Sequence, residues 1–145
     1  MEKRKVSVLV PYKMINGLAY LFMQKRAKNH ERGGNMFGFF GGGVQETETP
    51  AQALVRESKE ELNIIPENFR LFKVYDLPAT KYFSSAELHL FLLLVNNDFE
   101  RSVTVSSEGQ YAKWFSRECY LQNKESIAGT LSIMDEIYNA LEKKI

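Results

Sequence analysis

The stretch that most constrains this chain runs from Gly41 to Ile64 and reads GGGVQETETPAQALVRESKEELNI. Three glycines open it, and its second half predicts a helix. Thr49 is a good N-cap, and Pro50 takes the first helical position, where its missing N–H costs nothing. Ala51 to Leu62 contains no breaker. At about 100° per residue, Glu57, Glu60 and Glu61 project within an arc of roughly 100°. Ala51, Leu54, Val55 and Leu62 gather on a neighbouring arc, while Gln52, Arg56 and Lys59 take the remaining side. Ala53 lies among the carboxylates and, being small, is expected to leave the space above them open.

Three carboxylates crowded on one helix face repel one another, so a purely structural helix should avoid the arrangement. A hard cation such as Mg²⁺ reverses the sign of that argument, because it takes several oxygen ligands. A solvated, charged surface helix is the competing reading of any glutamate run. The spacing upstream weighs against it.

From Gly42, five residues lead to Glu48, seven more to Arg56-Glu57, and two further to Glu60-Glu61. This spacing resembles the signature of the Nudix hydrolase family, G-x5-E-x7-R-E-U-x-E-E-x-G-U with U apolar, to which MutT-type enzymes belong. Seven of the nine specified positions match: Gly42, Glu48, Arg56, Glu57, Glu60, Glu61 and Ile64. Ser58 stands where the family has an apolar residue, and Asn63 where it has glycine. Asparagine is the next-best residue for a left-handed helix cap, so the turn can survive. The Ser58 hydroxyl is expected to bond back to the Leu54 carbonyl, with some loss of packing.

The resemblance implies an α/β (α+β) fold, a Nudix-like α/β/α sandwich around a mixed β-sheet. It implies hydrolysis of a nucleoside diphosphate linked to another group, with Mg²⁺ as cofactor and Mn²⁺ as its substitute. Carried over by position, Glu57, Glu60 and Glu61 would be metal ligands, joined by the backbone carbonyl of Gly41. Arg56 would orient Glu57, and Glu48 would pair with Arg56 and hold the loop against the helix. Catalytic roles fall to Glu57, Glu60 and Arg56, with Gly42 and Glu48 as structural members of the motif. Val44-Gln45 and Glu48-Thr49 resemble the MutT-type triphosphate enzymes, including those that remove oxidised nucleotides. Thr47 stands where such sequences have glycine, and Phe40 where they often have proline. Nucleotide sugars and dinucleoside polyphosphates stay open as substrates, and so does a nucleotide-binding module without turnover. Tyr82 lies at about the distance where the dinucleoside enzymes carry a tyrosine.

Length and composition set outer bounds. The 145 residues, 44% of them hydrophobic, suit one domain over residues 1–145 with a substantial core. A formal charge of +1 gives no global field that points to DNA or RNA as a partner. The apolar run from Val6 to Val10 is too short for a signal core or a membrane span, so a cytoplasmic protein is expected. A lone cysteine, Cys119, excludes an internal disulfide. A homodimer is the assembly common in the resembled family.

Along the chain, Val6 to Val10 predicts a strand ended by Pro11, and Asn16-Gly17 a hairpin turn into a strand over Leu18 to Met23. The polar segment around His30 and Arg32 reads either as a solvated loop or as a contact to substrate phosphates. Phe37, Phe39 and Phe40 precede the glycines; they either fill core or offer a base-stacking surface. After the helix, strands are expected over Phe69 to Tyr75, Glu87 to Val95 and Ala112 to Ser116, with a short one at Val103 to Val105. His89 reads as a hydrogen-bonded core histidine. Trp114 is expected to be packed. Glu108 is either a surface residue or a further carboxylate near the substrate. A last helix should carry Ile127, Leu131, Met134, Tyr138 and Leu141 on one stripe.

Overall fold

The computed structural model describes residues 3–26, 36–79, 84–104, 109–127 and 131–143. Strand β1 (Arg4–Ile15) turns into β2 (Leu18–Arg26), followed by the short strands β3 (Phe37–Gly38) and β4 (Phe40–Gly43). Helix α1 (Pro50–Leu62) leads to β5 (Arg70–Leu77) and β6 (Ala86–Leu94). The short helix α2 (Phe99–Ser102), strand β7 (Gly109–Ser116), and helices α3 (Arg117–Gln122) and α4 (Leu131–Leu141) complete the order.

The strands form one mixed sheet built around β1. On one side β1 runs parallel to β6, which in turn pairs with the edge strand β5. On its other side β1 has two antiparallel partners in succession: β4 against Val6 to Leu9, then β2 against Tyr12 to Ile15. The turn between β1 and β2 puts Asn16 at φ 52° and Gly17 at φ 79°, the paired left-handed conformations of a tight hairpin.

Pro11 does not end the first strand, which continues to Ile15. It falls between the two antiparallel partners and is paired with neither, so its missing N–H leaves no gap in those ladders. The other differences are additions. Phe99 to Ser102 fold into α2, where Phe99 buries against the aromatic rings of Phe22 and Trp114. Helix α3, capped by the Ser116 hydroxyl, precedes the last helix. Ile127 lies ahead of α4 and bridges to Phe37. Val103 and Thr104 form no strand; Val105 lies outside the described residues.

Alternation along the strands divides the core into two layers. Val8, Val10 and Tyr12 of β1 join Leu90, Leu92 and Phe115 under α4, where Met134, Ile137 and Tyr138 close the layer. Leu9 faces the opposite way, with Phe22, Phe40, Phe91 and Leu93, and is covered by Leu54 and Leu62 of α1. This is a helix–sheet–helix sandwich with α1 on one face and α4 on the other. Among the described residues no helix is long and apolar enough to cross a membrane.

Candidate active site

Helix α1 is held at both ends. The Thr49 hydroxyl accepts from the Gln52 amide, and the Gln52 side chain accepts from the Thr49 amide, which makes a reciprocal capping box. At the far end Asn63 adopts φ 57° and ψ 38°, the left-handed cap, and its amide donates to the Lys59 carbonyl. The face turned to the protein carries Ala53, Leu54, Ser58, Glu61 and Leu62, all buried. Ala53 is fully enclosed and opens no space beside the carboxylates; it packs in the row that Glu57 and Glu61 continue. The Ser58 hydroxyl is buried but makes no hydrogen bond, so the expected bond to the Leu54 carbonyl is not formed.

Two of the three carboxylates face the glycines of β4. The Gly41 amide donates to Glu61 Oε2 at 2.7 Å, and Glu61 is only 5% exposed. A Cβ built on Gly42 would stand 2.6 Å from Glu57 Oε1, so the absence of a side chain there makes room for that carboxylate. Gly41 itself has φ 141°, and any Cβ on it would collide with the carbonyl oxygen of Ser7. Consecutive glycines therefore let β4 lie against β1 on one side and against two carboxylates on the other. Glu60 is turned outward, its side chain 59% exposed.

Arg56 joins the parts. Its Nη2 donates to Glu48 Oε1 at 2.7 Å and to the Gly43 carbonyl at 3.0 Å, while Nε reaches Glu48 Oε2 at 3.2 Å. Nη1 donates to Glu57 Oε1 at 3.0 Å and lies 3.6 Å from Glu60 Oε2. The sequence phase put Arg56 on the solvated side, yet its long stem brings the guanidinium back over the motif. The Arg56 hydrogen bond holds the Glu48 carboxyl below its ordinary 4.5, aided by the Gln45 amide. Reciprocally, Glu48 raises the Arg56 pKa further above its already high ordinary value.

Among the described residues, no three acidic, histidine or cysteine side chains converge into a ready cage for an ion. Glu57 is turned to Arg56, and Glu61 to the Gly41 amide. The donor chemistry nevertheless fits a divalent cation such as Mg²⁺: every available donor is a hard oxygen, and Glu57 and Glu61 stand one turn apart on the same helix. The space at Gly42 keeps one of these carboxylates directly against β4.

The aromatic candidates separate. Phe40 is fully buried under α1, stacked on Phe22 at 5.8 Å between ring centres. Phe37 is buried in the opposite layer, edge-on to Phe115 at 4.9 Å. Neither presents a face to a base, because the two strands place them in the two core layers. Phe39 is half-buried beside the α4 layer. Trp114 is packed by Phe22 and by Phe99, and its Nε1 donates to Glu100. His89 differs from expectation: its Nε2 lies 3.4 Å from Glu87 Oε2 but is buried without a hydrogen bond. Glu108, His30, Arg32 and Tyr82 lie outside the described residues.

One contributor went unrecognised. Ser7 is fully buried in β1, and its hydroxyl donates to the Pro50 carbonyl at 2.7 Å. Its signal in the sequence was a single polar residue within the apolar run Val6 to Val10.

Residues 3–132 match the NUDIX domain family. The chain is 32% identical over 96 residues to the 8-oxo-dGTP diphosphatase of Escherichia coli (strain K12), covering 66% of this chain and 69% of that one. Among solved structures, the NUDIX domain of Shewanella oneidensis NrtR, crystallised with ADP ribose, superposes with a TM-score of 0.74 at 14% identity, covering 97% of this chain and 90% of that one. A MutT/nudix family protein from Enterococcus faecalis superposes with a TM-score of 0.67 at 16% identity over 80% of this chain. This chain spans 44% of that protein's length. At such identities the superpositions speak for the fold.

Proposed function

The chain belongs to the Nudix hydrolase family, enzymes that act on phosphoric anhydrides, and we propose that its substrate is a nucleoside triphosphate, cut to the monophosphate and pyrophosphate. The observation that carries the reading is the meeting of Glu57 and Glu61 with Gly42 and Gly41, under an arginine that reaches Glu48, Glu57 and Gly43 together. The E. coli relative, named as an 8-oxo-dGTP diphosphatase, supports a triphosphate, oxidised nucleotides included. The ADP ribose bound to the Shewanella neighbour keeps other nucleoside diphosphate derivatives as the second reading.

Glu57, Glu60 and Glu61 would hold a divalent cation, Mg²⁺ or Mn²⁺, with the Gly41 carbonyl as a further donor. Such an ion, when bound, supplies neutralising charge along the phosphate chain and makes the attacking water more acidic. Arg56 steers Glu57 through the Nη1 hydrogen bond and cannot itself be deprotonated at working pH. Glu48 fixes the opposite side of that guanidinium, so the arginine cannot swing away. One of Glu57, Glu60 and Glu61 would take the proton of the attacking water.

The test is a substrate panel with Mg²⁺ and product identification by chromatography. It should hold ordinary and oxidised nucleoside triphosphates, ADP ribose, a nucleotide sugar and a dinucleoside polyphosphate. A triphosphate yielding monophosphate and pyrophosphate is expected. Turnover of ADP ribose or a nucleotide sugar alone would overturn the substrate but leave the anhydride chemistry. Tight binding without any phosphate release would favour a module that has lost turnover.

A further inference from the structure

Resting on that reading, we infer that Ser7 is a positioning residue for the carboxylates of α1, acting as a tether that the chemistry does not disturb. Ser7 is 0% exposed, in the first half of the strand on which the sheet is built. It meets both halves of the motif. Its hydroxyl donates to the carbonyl of Pro50, the first residue of α1, at 2.7 Å. Its backbone pairs with Gly42 of β4, and its carbonyl oxygen fills the space that a side chain on Gly41 would need. One residue therefore touches both the first turn of the helix and the strand of the glycines.

Whereas the Ser7–Pro50 bond joins α1 to β1, two polar links from α1 to β4 run through groups that the reaction would use. One is the Gly41 amide on Glu61; another is Arg56 on the Gly43 carbonyl, with the same guanidinium holding Glu57. Were Glu61 to hold a cation, the hydrogen bond it accepts from the Gly41 amide would be open to exchange. The Ser7–Pro50 bond involves no carboxylate and persists. Glu57 and Glu61 lie two and three turns along the helix from Pro50, so a small slide at its start displaces both relative to Gly41 and Gly42. Displacements on the order of 1 Å at a reacting centre are costly to rate.

The experiment compares wild type with Ser7→Ala and Ser7→Cys. Turnover is measured against Mg²⁺ and against nucleotide, Mn²⁺ binding by calorimetry, and folding by thermal unfolding. Ser7→Ala should lower kcat about tenfold and weaken Mn²⁺ binding several-fold, with the nucleotide KM within about twofold. Ser7→Cys keeps the size but donates poorly, and should fall between the two. It carries the test if Ser7→Ala does not fold. A lowered melting temperature with unchanged kcat and unchanged Mn²⁺ binding would overturn the tether and leave Ser7 a stability residue. A wild type that neither binds Mn²⁺ nor hydrolyses any anhydride would instead fail the functional reading, and the tether with it.

Discussion

Arg56 and Glu48, eight residues apart in the chain, meet through two hydrogen bonds, Nη2 to Oε1 at 2.7 Å and Nε to Oε2 at 3.2 Å. This forked contact is the strong form of an arginine–carboxylate pair. The same guanidinium reaches Gly43 and Glu57, so it ties the loop, the strand and the helix together.

The pair has a pH signature. Glu48 is depressed below its ordinary 4.5, chiefly by the Arg56 hydrogen bond, so it binds protons less readily folded than unfolded. Its contribution is therefore fully present above 4.5 and is lost as pH falls through the lower folded value. Glu48→Gln should lower the melting temperature at pH 7, and the gap to wild type should close below about pH 4.5. A gap that stays constant into acid would show that charge is not what Glu48 contributes.

Glu61→Gln should reduce turnover at least about a hundredfold at saturating Mg²⁺, the loss expected when a metal-activating group goes. The fold should survive for a reason the sequence did not suggest. Glu61 is buried rather than solvated, and glutamine keeps an oxygen to accept the Gly41 amide. Near wild-type turnover would remove Glu61 from the site.

Alanine at the two adjacent glycines should act differently. At Gly42 the new Cβ meets the end of the Glu57 side chain, which can move. Stability should change by less than about 1 kcal/mol, while kcat drops at least about tenfold. At Gly41 it meets the backbone of Ser7 and Val8 at a φ of 141°, and the expected cost is more than about 2 kcal/mol of stability. Chemical denaturation and steady-state kinetics on both variants separate the two effects. Equal stability losses would contradict the assignment.

Ser58→Ala should stabilise the protein by roughly 1 kcal/mol, because it removes a buried hydroxyl without a partner and favours the helix. Leucine at the same site has the right polarity but must find room at a position already 1% exposed. A melting temperature that falls in Ser58→Ala would mean the hydroxyl has a partner after all.

Phe40→Ala should cost about 3–5 kcal/mol of stability, as expected for a fully buried ring. A stacking role would instead raise KM and leave folding intact. Urea titration beside kinetics distinguishes them, and a raised KM at unchanged stability would restore Phe40 as a contact to the base.

Much of the site was legible because it is local. The helix boundaries follow from Thr49, Pro50 and Asn63, which act within one turn of where they stand. The Asn16-Gly17 hairpin is likewise a matter of the backbone at two residues. The spacing of Gly42, Glu48, Arg56 and the glutamates is a property of order along the chain, and it pointed to the family. Tertiary structure alone decided the environments. Helical phase treated Glu57, Glu60 and Glu61 as one face, but packing against β4 buried Glu61 and left Glu60 in solvent. Phe37 and Phe40 look alike in sequence, yet sheet pairing sent them to opposite layers. Ser7 acquired its hydrogen bond to Pro50 only when 43 residues of chain folded the helix onto β1. Short-range sterics and capping are written into neighbouring residues; burial and long-range hydrogen bonds depend on which surfaces the whole sheet brings together.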